Sequence, residues 1–159
     1  MSEPALEAHS NILSQLRRRL DKDEFTKIRR LWRDHSVAED ARDIPGLIAT
    51  LTEDCVYAIP QSEIEWRGHA GAERFYTELL TAFPDVHFDL QNIVIGPQGV
   101  FEEAHVTGTH EGKWLHHNAS GKAVEFDVLI FFPWNAEQEL FRGERVWFFN
   151  LEEQLAEKA

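Results

Sequence analysis

The dominant spacing of apolar residues changes near Pro84. Before that point it is mainly helical. Phe25, Ile28, Leu31 and Trp32 recur at three and four residues with His35 on the same stripe and Asp23 and Glu24 in the first turn, which predicts a helix from about Asp23 to Asp43. Asp43-Ile44-Pro45-Gly46 then starts a short helix through Leu51, with Asp43 as cap and Pro45 in the first turn. Cys55 to Ile59 reads as a short strand closed by Pro60, and residues 61–68 as loop. From His69 to Phe83 the residues Ala72, Phe75, Tyr76, Leu79, Leu80 and Phe83 return to helical spacing until Pro84 stops the run.

After Pro84 the period is two. Val86 to Ile95, Val100 to His110, Val124 to Phe132 and Leu140 to Phe149 read as four long strands, separated by turn signals at Gly96-Pro97-Gln98-Gly99, Gly112, Ser120-Gly121 and Pro133 to Glu139. Leu151 to Lys158 reads as a closing helix. Residues 1–22 carry only a weak stripe of Leu6, Ile12, Leu13, Leu16 and Leu20 beside Arg17, Arg18 and Arg19, and are read as a helical extension to a single domain over 23–159. Long strands joined by short turns pair antiparallel, and the helices have one sheet on which to bury their stripes. The expected class is α+β: a strongly twisted antiparallel sheet with three helices on its concave face, enclosing a pocket.

Composition narrows the partners. The 159 residues carry 16 Lys+Arg against 28 Asp+Glu, a net charge of −12, which disfavours nucleic acid. No stretch approaches the roughly 20 apolar residues of a membrane span or the pattern of a signal peptide, so a soluble, cytoplasmic protein is expected. The lone Cys55 permits no internal disulfide and suits the same setting. Five Trp, eleven Phe and two Tyr are enough to line a cavity as well as fill a core.

Three stretches resemble the SnoaL-like proteins: Trp66-Arg67-Gly68-His69-Ala70-Gly71-Ala72-Glu73-Arg74-Phe75-Tyr76 ending in Phe83-Pro84-Asp85, Thr107-Gly108-Thr109-His110-Glu111-Gly112 followed by Gly121-Lys122, and Glu144-Arg145-Val146-Trp147-Phe148. The resemblance implies the fold of the nuclear transport factor two-like superfamily, a cone-shaped α+β barrel with a curved antiparallel sheet that is usually dimeric, with a pocket between helices and sheet. It also implies a choice between cofactor-free chemistry (isomerase, cyclase or dehydratase) and noncatalytic binding, which the fold alone does not decide. The chain departs from the pattern on its last two strands: Ile130 and the stretch Gly143 to Trp147 stand where similar cyclases carry a His and a His-Trp-acid, and Phe148-Phe149-Asn150 stands where the Glu-Arg-Val branch has an Asp after the aromatics.

Among candidate chemical groups, Asp127 lies inside the apolar strand 124–132, where desolvation would make a carboxylate a useful general base, as in ketosteroid isomerase. Its parity, opposite to Val124, Phe126, Val128, Ile130 and Phe132, leaves open whether it lines the pocket or the outer face. His110 and Tyr57 are the candidate acid or oxyanion donors, Arg145 the anchor for a carboxylate or enolate, and Trp32, His35 and Trp147 the pocket walls. Glu144 takes the face opposite Arg145 and Trp147. His116 and His117 invite a metal reading, but neighbours in an extended loop point apart and no further ligand stands at a recognisable spacing, so neither metal nor cofactor is expected. The expected partners are a small apolar or aromatic ligand and a second copy of the chain paired through the sheet; the alternative is a noncatalytic ligand-binding or scaffold module.

Overall fold

The computed structural model describes residues 11–156, of which residues 11–17 are helical (α1). They are exposed throughout and touch the domain through Gln15, whose backbone carbonyl accepts from Gln98 Nε2 at 2.9 Å. Residues 1–10 and 157–159 of the expected terminal helices lie outside the described residues.

Helix α2 (Lys22–Asp40) starts where Asp21 accepts the backbone N–H of Glu24 at 2.8 Å, and it buries Ile28, His35 and Ala38. It ends earlier than the stripe predicts. Arg42 turns left-handed at φ 58°, and the Asp43 N–H reaches back to the Ala38 carbonyl, a helix-terminating bond. Asp43 then caps α3 (Ile44–Ile48) through the Gly46 N–H. Strand β1 (Leu51–Ile59) begins four residues before Cys55, because the polar Thr52-Glu53-Asp54 hid its start. The expected loop 61–68 holds a 3₁₀ turn (Pro60–Ser62) and a four-residue strand β2 (Ile64–Arg67), too short to show a period. Helix α4 (Gly68–Ala82), strands β3 (His87–Gly96), β4 (Gly99–Thr109), β5 (Ala123–Asn135) and β6 (Leu140–Phe149), and the short helix α5 (Leu151–Leu155) follow.

The six strands form one curved sheet in the order β2-β1-β6-β5-β4-β3. β3 to β6 pair antiparallel as expected, and so do β1 and β2, but β1 runs parallel to β6. An all-antiparallel sheet is thereby corrected to a mixed one. β1 and β6 are joined by most of the domain, so no hairpin fixes their direction, and a parallel pair needs such a long crossover. Val124, Phe126, Val128, Ile130 and Phe132 of β5 point to the face that the helices cover and are buried with Phe75, Tyr76 and Leu79 of α4. The α+β architecture, a curved sheet with helices packed on it, is therefore as the sequence predicts.

One irregularity matters for the site. The pairing of β6 slips by a residue against β5 and is broken against β1 near Gly143, where φ is 109°. The slip lets Phe141 and Glu144, three residues apart, face the same interior. Among the described residues no helix is long and apolar enough to cross a membrane.

Candidate active site

The sheet interior holds a small cavity between α2, α4 and the strands, walled by Phe75, Leu79, Phe88, Phe126, Val128, Ile130, Val146 and Phe148. Two carboxyl side chains, Glu39 and Glu144, break this apolar lining. The space open to the centre of a water-sized sphere is about 10 Å³, room for about one water molecule.

Glu144 is the hub. Its Oε1 accepts Tyr76 Oη–H at 2.6 Å and Tyr57 Oη–H at 3.0 Å, and lies 2.9 Å from His35 Nε2. Glu144, His35, Tyr57 and Tyr76 are all buried. The hydrogen inventory gives His35 Nε2 the role of donor. Both tyrosine hydroxyls spend their hydrogens toward Glu144, so an unprotonated Nε2 would face only acceptors. The other ring nitrogen meets Thr50 Oγ1 at 2.7 Å, and Thr50 in turn reaches the Leu47 carbonyl. All three bonds to Glu144 end on Oε1, and among the described residues Oε2 receives no hydrogen bond.

Two further acids converge from neighbouring elements. Glu39 follows His35 by one helical turn on α2, and Glu102 on β4 accepts Trp32 Nε1–H at 2.7 Å. Burial holds the Glu39 carboxyl well above the ordinary range, reinforced by the charges of Glu144 and Glu102. Burial likewise pushes Glu102 up to about 7, against the Trp32 N–H. Burial, then the charge of Glu144, pushes both tyrosines up as well, so they remain donors. Three carboxyls with so few cations cannot all ionise cheaply in an apolar interior, and burial favours the protonated form at Glu39 and at Glu102.

The Glu102 shift carries a stability consequence. Its folded-state pKa lies above the ordinary value of 4.5, so the folded chain holds a proton that the unfolded chain releases between pH 4.5 and about 7. This contribution is complete below about 4.5 and is lost as the pH rises through about 7. Glu102→Gln, which keeps an acceptor for Trp32, is expected to gain on the order of 3 kcal/mol over wild type at pH 8 relative to pH 4.5. Urea unfolding at the two pH values measures it.

The candidates expected from the sequence divide between the two faces. Tyr57 and His35 enter the buried network, and Trp32 braces Glu102 beside it. Asp127 does not line the cavity. It lies exposed on the outer face, where it meets His105 Nδ1 at 2.9 Å, because β5 turns its plainly apolar parity inward. Arg145 and Trp147 are also on the outer face, with the guanidinium 5.3 Å from the indole centre, and Arg145 lines an outer groove of about 640 Å³ with Arg142, Asp54 and Glu65. His110 is buried but stacks on Phe83 at 5.3 Å and meets Ser120 Oγ at 3.1 Å; it is absent from the cavity wall. Burial holds its pKa below the ordinary value. Cys55 is buried, its thiol pushed up to about 11 mainly by burial, which removes it as a nucleophile.

The expectation that His116 and His117 point apart fails too. Residues 114–117 form a tight turn with Leu115 at φ 53°, which swings both imidazoles to one side.

Residues 28–139 match the family model described as a SnoaL-like domain. No curated protein matches the sequence. Among solved structures, a candidate SnoaL-like polyketide cyclase from Jannaschia sp. CCS1 superposes with a TM-score of 0.70 at 19% identity, over 90% of this chain and 98% of that one. TsrD from Streptomyces laurentii gives 0.69 at 18% identity over 86% and 98%, and TerC, co-crystallised with polyporic acid, gives 0.66 at 13% over 83% and 99%. Identities this low show a shared fold.

Proposed function

The chain belongs to the SnoaL-like domain family, and from that premise we propose that it is a proton-transfer enzyme of the isomerase, cyclase or dehydratase type, acting on a small apolar carbonyl compound between α2, α4 and the sheet. One observation carries the reading: two carboxyl groups share one apolar cavity, Glu144 with three groups on a single oxygen and Glu39 with its pKa raised by burial. A carboxyl with one oxygen left open, beside a second that holds its proton firmly, is an arrangement suited to acid–base chemistry.

Glu144 Oε2 takes a proton from the carbon beside the substrate carbonyl. The electron pair of the broken C–H bond moves into the carbon–carbon bond, and the carbonyl oxygen gains the charge. Glu39, as the neutral acid, donates to that oxygen to give the enol; the proton on Glu144 then passes to a different carbon or to a leaving group, and as the carbonyl re-forms the enol O–H returns its proton to Glu39. Tyr57, Tyr76 and His35 spend their hydrogens on Glu144 Oε1, so they fix and tune the base rather than cradle the oxyanion. The cavity as it stands is closed, so binding has to displace Phe88 and Phe148 outward. TerC, a structural neighbour, was co-crystallised with polyporic acid.

The closed cavity also favours a second reading, in which the network is structural and the module binds without turning over. Two experiments separate the readings. Cyclic β,γ-unsaturated ketones and aromatic 1,3-diketones are incubated with the protein in D₂O, and deuterium uptake beside the carbonyl is followed by NMR. Catalysed uptake with at least one compound is expected; binding seen by thermal shift without any uptake across the set supports the noncatalytic module instead.

The same proposal includes a homodimer through the outer sheet face. Phe101 and Phe131 stack there at 4.4 Å with Trp147 beyond them at 6.5 Å, an aromatic strip that a lone chain leaves in water.

A further inference from the structure

We infer that the turn carrying His116 and His117, together with Glu152 of α5, is a binding site for a divalent transition-metal ion of the zinc class. Two imidazole nitrogens and one carboxylate oxygen, all within 4.8 Å of one another, form the donor set. His117 Nε2 lies 2.7 Å from Glu152 Oε2 and His116 Nε2 lies 3.9 Å from the same oxygen. Donors about 2.0–2.1 Å from a tetrahedral ion stand about 3.3 Å apart, so the two measured separations bracket the required one and a small side-chain rotation closes it. Imidazole and carboxylate together suit zinc, cobalt or nickel better than calcium or magnesium, which prefer oxygen alone.

The backbone that brings these donors together is rigid and locally strained. Trp114 and His117 exchange both backbone hydrogen bonds, at 3.0 and 2.8 Å, and Trp114 is buried against Phe75, Phe83 and Phe148. On the other side Leu151 and Leu155 anchor α5 in the core and fix where Glu152 points. Leu115 and Asn150, the residues that aim the turn and the helix, both have left-handed backbones, φ 53° and 65°. For a bulky leucine that conformation is costly, and strain of this kind collects at binding sites. Only one of the donors is shielded: His117 is 12% exposed, His116 and Glu152 are largely in water. Three protein ligands leave a coordination position open, and His116 and Glu152 line a groove of about 340 Å³ beside Gln61, Ser62 and Phe148. Phe148 also walls the interior cavity, so an ion here would stand next to one of its walls without belonging to the Glu144 network.

The test uses the full chain freed of metal by chelation. Co²⁺ is titrated in and followed by its visible absorption, with Zn²⁺ as competitor. Saturation at one equivalent per chain is expected, with affinity reduced at least tenfold in His117→Ala and in Glu152→Gln and abolished in His116→Ala/His117→Ala. His105→Ala, which removes the histidine paired with Asp127 on the outer face, is expected to bind like wild type. Circular dichroism confirms that each variant is folded. The absence of saturable Co²⁺ or Zn²⁺ binding, or binding that persists in the double variant, overturns the proposal and leaves the cluster as an ion pair of His117 with Glu152.

Discussion

Glu144→Gln is expected to lower turnover of a compound found by deuterium uptake by about 10²- to 10⁴-fold, the usual contribution of a general base, while leaving the chain folded and the ligand bound. The substitution is nearly isosteric. The three donors from His35, Tyr57 and Tyr76 force the amide to present its oxygen where Oε1 now sits. The amide nitrogen then occupies the Oε2 position at the cavity, where it cannot accept a proton. The loss should fall on kcat, with affinity for the ligand changed much less. Asp127→Asn serves as the comparison, because Asp127 lies exposed on the outer face beside His105, and its turnover should match wild type. Equal loss in both variants, or in neither, would remove Glu144 from the chemistry.

A large effect on stability is expected from Gly143→Ala. A Cβ built there would lie 2.1 Å from the Val56 carbonyl oxygen and 2.6 Å from its carbonyl carbon, and both atoms belong to the backbone of the paired strand. The φ of 109° adds strain for any side chain. Backbone strain and overpacking together cost on the order of 4 kcal/mol, a large share of the total stability of a domain this size. The variant should unfold at a much lower urea concentration than wild type, or fail to accumulate as folded protein. A midpoint within error of wild type would mean that β1 and β6 can separate there without penalty. Because Gly143 precedes Glu144, any partial relief of the clash should also shift the base.

The large elements were legible in the sequence because most keep a long, regular period: β4 lies within a residue of the expected Val100 to His110 at each end, and Pro84 marks the change from helix to strand. The parallel pairing of β1 with β6 was not legible, since nothing local encodes which distant strand a short, half-polar segment will join. Parity was read correctly on β5 and β6, yet Asp127, Arg145 and Trp147 were weighed as pocket residues before the buried face was known. On β5 the run of five alternating apolar residues was the better guide to that face. Glu144 was hidden by the irregularity at Gly143, which breaks simple alternation. Two signals were there to be used. Trp32, His35 and Glu39 share one stripe of α2, and Glu102 interrupts the apolar parity of Val100, Ala104 and Val106; an acid on a buried parity is expensive unless it has work or a partner. The turn at 114–117 was misread because adjacent side chains diverge only when the backbone is extended, and Leu115 is not.

Ligand chemistry is assigned to Glu39 and Glu144 and not to the larger groove beside Arg142 and Arg145. A crystal structure of the protein with the compound that exchanges fastest decides between the two places. The compound is expected between α2, α4 and the sheet, with Phe88 and Phe148 displaced, its carbonyl oxygen within hydrogen-bond reach of Glu39 and the exchanging carbon beside Glu144 Oε2. A compound seated on the outer face against Arg142 and Arg145, with the interior cavity still closed, would remove Glu39 and Glu144 from the chemistry.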